Sequence, residues 1–118
     1  MPRFMKSERL KQSKEFKAVF EQCRKLDDGL LAFYVQFSGD AGLRKFGVSL
    51  SRALGKAYLR NRLKRRLREI YRVEKEKFRG GYQVIVVPRR GSAGRDFDEI
   101  RKSFLTLATR AGLLPRMK

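Results

Sequence analysis

The segment from Lys56 to Glu76 constrains this chain more than any other, because as a helix it has two incompatible faces. At about 100° per residue, Leu59, Leu63, Leu67 and Ile70 fall within one narrow arc. That arc has to be buried against other elements. Asn61, Arg65, Arg68 and Arg72 lie opposite, with Arg60 and Lys64 along one edge and Arg62 along the other. Arg66 falls near the apolar border, where its stem can pack while its guanidinium reaches water. Glu69 is the only acid between residues 52 and 72. Ordinary solvated helices mix signs, since Glu/Lys pairs one turn apart stabilise them and like charges repel. Here the like pairs Arg60/Lys64, Lys64/Arg68, Arg68/Arg72 and Arg62/Arg66 each cost about 0.2–0.5 kcal/mol in isolation. A structural role gains nothing from that arrangement, whereas a polyanion-binding face explains it, because guanidinium forks match phosphate oxygens.

The whole chain repeats the bias. It has 118 residues with 30 Lys and Arg against 12 Asp and Glu, for a formal net charge of +18. Such an excess repels itself in a folded domain and calls for a polyanionic partner. Nucleic acid is the first candidate, an acidic membrane surface the second and an acidic protein the third. The length suits a single domain over residues 1–118, large enough for a core without disulfides or metals. The chain has no His and one Cys, which excludes Ser-His, Cys-His and His-metal sites. Cys23 is expected on a buried helix face, and a lone cysteine favours a reducing compartment. The first residues lack the apolar core of a signal peptide, and no apolar run is long enough to span a bilayer. A cytoplasmic protein with no membrane association is therefore expected.

The flanking segments supply the rest of the fold. Ser13 to Lys25 reads as a helix with Phe16, Val19, Phe20 and Cys23 on one stripe. Leu30 to Ser38 and Lys45 to Ser51 alternate like strands around the turn residues Gly39 to Gly42, and a hairpin between them is expected. Each has one fully apolar and one milder face, so the sheet should bury one side and leave the other partly open. Tyr82 to Val87 is apolar on both faces, as an interior strand is. Asp96 is placed to cap a last helix, with Glu99 three residues on as in a capping box. Phe97, Ile100, Phe104, Leu107, Ala108 and Ala111 form its buried stripe, and Gly112 ends it. The class is α+β, with helices packed on a small mixed sheet.

A basic helix also suits a DNA groove, but no helix-turn-helix or zipper is evident. Tyr34, on the milder strand face, is well placed to stack an unpaired RNA base. Phe16 and Phe20 suit stacking and ordinary core packing equally. Gly55-Lys56 is not a phosphate loop, because Ala57 stands where Ser or Thr is needed.

Arg60-Asn61-Arg62-Leu63-Lys64-Arg65, with Arg68-Glu69 and Tyr71, resembles the signature helix of the bacterial ribonuclease P protein family. Gly55-Lys56-Ala57 before it, Glu8 to Lys11 ahead of Phe16 and Phe20, Tyr34, Gly47 to Ser51, and Tyr82 to Pro88 extend the resemblance over residues 8 to 108. The resemblance implies three helices and the order α-β-β-β-α-β-α, like the second domain of a small-subunit ribosomal protein. The extra short strand would come from Arg24 to Leu26, and the β-α-β crossover would be left-handed, against the usual rule. It implies a catalytic-RNA contact through Lys56, Arg60, Asn61, Arg62, Lys64, Arg65, Arg68 and Arg72. It also implies a cleft for the 5′ leader of precursor tRNA with Phe16, Phe20, Tyr34, Ser49 and Arg52. The family often carries a second basic residue after the position of Arg52, where this chain has Ala53.

The implied reaction is hydrolysis of a phosphodiester to leave a 5′ phosphate on tRNA. Mg²⁺ would serve it, held by the RNA, because the chain shows no carboxylate cluster; Asp96, Asp98 and Glu99 read as the negative first turn of a helix. The expected partners are the catalytic RNA and precursor tRNA, with no catalytic or metal-binding residue in the protein and no small-molecule ligand. The competing reading is a general RNA-binding or ribosome-associated protein, which would share the charge but not need the cleft aromatics.

Overall fold

The computed structural model describes residues 21, 23–40, 42–51 and 54–114. Four strands form one sheet: β1 (Arg24–Asp27), β2 (Leu31–Phe37), β3 (Arg44–Val48) and β4 (Tyr82–Pro88). Two long helices, α1 (Ala57–Glu74) and α2 (Phe97–Arg110), accompany it, with single 3-10 turns at Lys75–Lys77 and Ser92–Gly94. The sheet order is β1-β2-β4-β3. β1 and β4 run antiparallel to β2, and β3 runs parallel to β4.

This order corrects the expected hairpin between the Leu30 and Lys45 segments. β4 lies between β2 and β3. The reason is burial: Val84, Ile85 and Val86 are all fully buried, so β4 needs a neighbour on both edges and cover on both faces. β3 and β4 then run parallel, which requires a long connection, and α1 supplies it. The hairpin partner of β2 is β1, with Leu26 opposite Phe33 and Lys25 opposite Tyr34. The turn between them is fixed by two carboxylates. Asp27 accepts from the Gly29 N–H at 2.7 Å, and Asp28 accepts from the N–H groups of Leu30 and Leu31, both at 3.0 Å. Gly29 has a φ of +90°, which a residue with a Cβ rarely adopts.

The N-terminal helix expected over Ser13 to Lys25 lies almost wholly outside the described residues. Glu21 is helical, but Arg24 and Lys25 belong to β1, so the helix stops earlier than its pattern suggests. The short extra strand sits where the resemblance implies it.

The core lies on one face of the sheet. Leu31, Phe33 and Val35 of β2, Phe46 of β3 and Val84 and Val86 of β4 meet Leu63, Leu67, Ile70 and Tyr71 of α1 and Ile100, Phe104 and Leu107 of α2. The Phe46 and Tyr71 rings stack at 4.2 Å, and Phe33 meets Phe104 edge-on at 5.1 Å. Tyr71 and Tyr82 share a buried hydroxyl–hydroxyl hydrogen bond. Each such pair adds about 0.5–1.5 kcal/mol beyond the area it buries.

α2 begins as its sequence suggests. The Asp96 carboxylate accepts from the Glu99 N–H at 2.9 Å. Glu99 does not complete a capping box; its carboxylate pairs with Arg95 at 3.0 Å. Gly112 (φ +86°) ends the helix. Two side-chain ties hold α2 in place. Arg101 donates to the nearly buried Glu74 of α1 at 3.3 Å, and the Ser103 hydroxyl donates to Asp28 at 2.5 Å.

Candidate nucleic-acid interface

Burial sets the register of α1. Leu63, Leu67 and Ile70 are buried, and Leu59 is half-buried. This orients the opposite side outward: Lys56, Asn61 and Arg65 are exposed, and Arg60, Arg62, Lys64, Arg68 and Arg72 are half-buried. The structure thus gathers every α1-segment residue singled out from the sequence onto one helix and away from its core seam. The border residue Arg66 packs its stem and donates to the Arg95 carbonyl at 3.3 Å.

The first turn of α1 adds to the positive field. Lys56 occupies the cap position with no side-chain hydrogen bond, and the turn contains no acid. No acid of that turn offsets the positive end of the helix dipole. Farther along, Arg72 grips Glu69 through Nε at 3.0 Å and Nη2 at 2.5 Å. That hydrogen bond holds the Glu69 carboxyl below the usual carboxylate range and keeps it ionised. Glu69 therefore offsets Arg72, and the cationic face is strongest between Lys56 and Arg68. A groove of about 330 Å³ runs beside this face, lined by Arg62, Arg65, Arg66, Glu69 and the half-buried Phe97 ring.

The second surface is the other face of the sheet. β-alternation puts Tyr34, Gln36, Gln83, Ile85, Val87 and Lys45 on it, opposite the core. The register aligns Lys25, Tyr34, Ile85 and Gly47 in one row across the sheet and Gln36, Gln83 and Lys45 in the next. Ile85 is fully buried among Cys23, Tyr34 and Val87, so the face is closed at its centre and half-open around it. Tyr34 keeps partial exposure, with the Lys25 ammonium 5.7 Å from its ring centroid. Ser49, also half-exposed, follows β3, and its N–H donates to the Val86 carbonyl at 3.0 Å. Tyr34 and Ser49 thus share the sheet that was expected to line a cleft, while Phe16, Phe20 and Arg52 lie outside the described residues. Burial pushes the Cys23 thiol up, so it stays protonated and apolar.

Sequence reasoning passed over Lys25 and Lys45, which bring charge to the Tyr34 face. The signal was present: Asp27-Asp28-Gly29 is a turn motif between two alternating segments, and reading it would have paired Lys25 with Tyr34.

No group of three or more His, Cys, Asp or Glu stands together among the described residues. Several acids are already committed: Asp27 to Arg89, Glu69 to Arg72, Glu74 to Arg101 and Lys77, and Glu99 to Arg95. These residues do not fit a protein-held metal ion. No described helix is long and apolar enough to cross a membrane.

A basic helix face on a small α+β fold, with the half-open Tyr34 face on the far side of the sheet, defines an RNA-binding protein. The match to known proteins is specific. The ribonuclease P family model matches residues 4–112. The ribonuclease P protein component of Clostridium kluyveri is 34% identical over 107 residues, covering 89% of this chain and 95% of that protein. The component from Symbiobacterium thermophilum is 36% identical, covering 94% and 96%. The chain belongs to the ribonuclease P protein family. Among solved structures, the Thermotoga maritima RNase P protein superposes with a TM-score of 0.78 at 30% identity, covering 87% of this chain and 96% of that one. The Staphylococcus aureus RNase P protein reaches a TM-score of 0.85 at 24% identity, a likeness of fold, covering 92% and 99%.

Proposed function

We propose that the two surfaces divide the work of this ribonuclease P subunit, α1 docking the catalytic RNA and the Tyr34 face holding the 5′ leader of precursor tRNA. The chain is a protein component of the ribonuclease P holoenzyme, the ribonucleoprotein that matures tRNA 5′ ends. The observation that carries the docking assignment is the orientation of α1. Its leucine seam is buried, so Asn61, Arg65 and Arg68 lie opposite it, with Arg60, Arg62 and Lys64 at the flanks. Phosphates there would neutralise charges that otherwise repel one another.

The Tyr34 face points to the opposite side of the sheet from α1. A single strand there meets an aromatic ring, the Ser49 hydroxyl, the Gln36 and Gln83 amides and the Lys25 and Lys45 ammonium groups. Rings accept stacked bases without demanding a sequence, and lysines follow the backbone. Phe16, Phe20 and Arg52 belong to the same proposed leader site.

Mg²⁺ bound by the RNA would activate the attacking water and stabilise the leaving oxygen. The protein's own contribution is positioning. Its cations screen the repulsion between two RNAs, and its leader contacts favour precursor over product, which has lost the leader. Tyr34→Ala is expected to weaken holoenzyme binding of precursor tRNA about 5- to 100-fold, the scale of one lost stacking contact, and to leave mature tRNA binding unchanged. Equal weakening of both would remove Tyr34 from the leader site.

A further inference from the structure

Tyr58 is the most exposed large hydrophobic side chain among the described residues, at 64%. It stands in the first turn of α1, where Tyr is a poorer helix former than Ala or Lys. Another exposed ring has a partner close by. Phe37 is 37% exposed, and the Arg79 guanidinium lies over its ring at 4.6 Å. The Tyr58 side chain makes no hydrogen bond or ring contact among the described residues, and it contributes nothing to the core seam.

Its neighbours are not ordinary. Tyr58 precedes Asn61, Arg62 and Arg65 by three, four and seven residues, which places all four on one side of the helix. Tyr58 and Arg62 are therefore attached about one helical turn apart, roughly 5.4 Å along the axis, on the cationic face of α1. Water can satisfy the phenol hydroxyl, but the apolar face of the ring gains nothing from exposure. An RNA strand can satisfy both groups at once, with a base on the ring and its phosphate on the arginine. Duplex RNA offers no free base face, so the occupant is unpaired.

We propose that Tyr58 is a stacking platform for one unpaired base of the catalytic RNA. The inference rests on α1 being the docking face for that RNA. The precursor leader is not the occupant: α1 packs on the core face of the sheet, through Phe46 and Tyr71, and Tyr34 lies on the other face. Tyr58 thus fixes the register of the RNA along the helix, which the arginines alone would leave free to slide.

The test is equilibrium binding of the full chain to a bacterial ribonuclease P RNA at several salt concentrations. Tyr58→Ala is expected to weaken binding about 5- to 100-fold without changing the slope of log affinity against log salt. Tyr58→Phe should bind within about twofold of the parent, since stacking needs the ring and not the hydroxyl. Arg65→Ala should lower the magnitude of the slope by about one phosphate contact. Parent-like binding by Tyr58→Ala overturns the proposal, as does a Phe variant as weak as Ala, or weakening confined to precursor tRNA. If Arg65→Ala also leaves affinity and slope untouched, the docking assignment of α1 fails; if Arg65→Ala behaves as expected, only the platform fails.

Discussion

At the scale of residues, Asp28 shows how one side chain ties a turn to a helix. Burial alone would raise its carboxyl, but the N–H groups of Leu31 and Leu30 and the Ser103 hydroxyl outweigh that effect and hold it below its ordinary value of 3.8. Folding therefore favours the ionised form. That contribution is fully present above pH 3.8 and is lost as the pH falls through the lowered folded value. Asp28→Asn should destabilise the protein at neutral pH by less than about 1 kcal/mol, since the group is largely solvent-screened. Urea titrations at descending pH should show the gap between the two proteins closing below pH 3.8. A gap that stays constant with pH would assign the loss to shape and not to charge. The turn around Asp28 was legible in the sequence, but its link to Ser103 was not. The two lie 75 residues apart, and hydrophobic periodicity carries no information about polar pairs at that separation.

At the scale of elements, α1 was the most legible part of the chain, because its period separates a leucine seam from a cationic face. The two faces should respond to mutation in opposite ways. Leu67 has no exposed surface, so Leu67→Ala should cost about 2–5 kcal/mol in urea unfolding. Arg65→Ala should leave stability within about 0.5 kcal/mol, or raise it slightly by relieving repulsion, while weakening binding to the catalytic RNA. An Arg65→Ala protein that unfolds as readily as Leu67→Ala would contradict this division. The strands were legible one by one but not in their order. Alternation reports which residues share a face, and both β2 and β3 alternate whichever neighbour they have. The decisive clue was in β4, where Val84, Ile85 and Val86 leave no face for solvent; such a strand belongs in the middle of a sheet, and its insertion splits the expected hairpin. The basic face could be drawn from the sequence, but Tyr58 escaped notice because periodicity ranks residues by burial and says little about an exposed ring.

At the scale of the whole molecule, a net charge of +18 and the family together describe a protein whose partner is RNA. Composition stops at a polyanion; the orientation of α1 and the half-open sheet face turn that into two opposed surfaces. The described residues hold no cluster of His, Cys, Asp or Glu for a metal ion, and the proposed division gives positioning to the protein and cutting to the RNA. Reconstitution tests this most directly. The protein alone should leave precursor tRNA intact, and adding it to a bacterial ribonuclease P RNA should restore 5′-leader cleavage at Mg²⁺ concentrations too low for the RNA alone. Cleavage by the protein without RNA, or no effect of the protein on the Mg²⁺ requirement, would contradict the account.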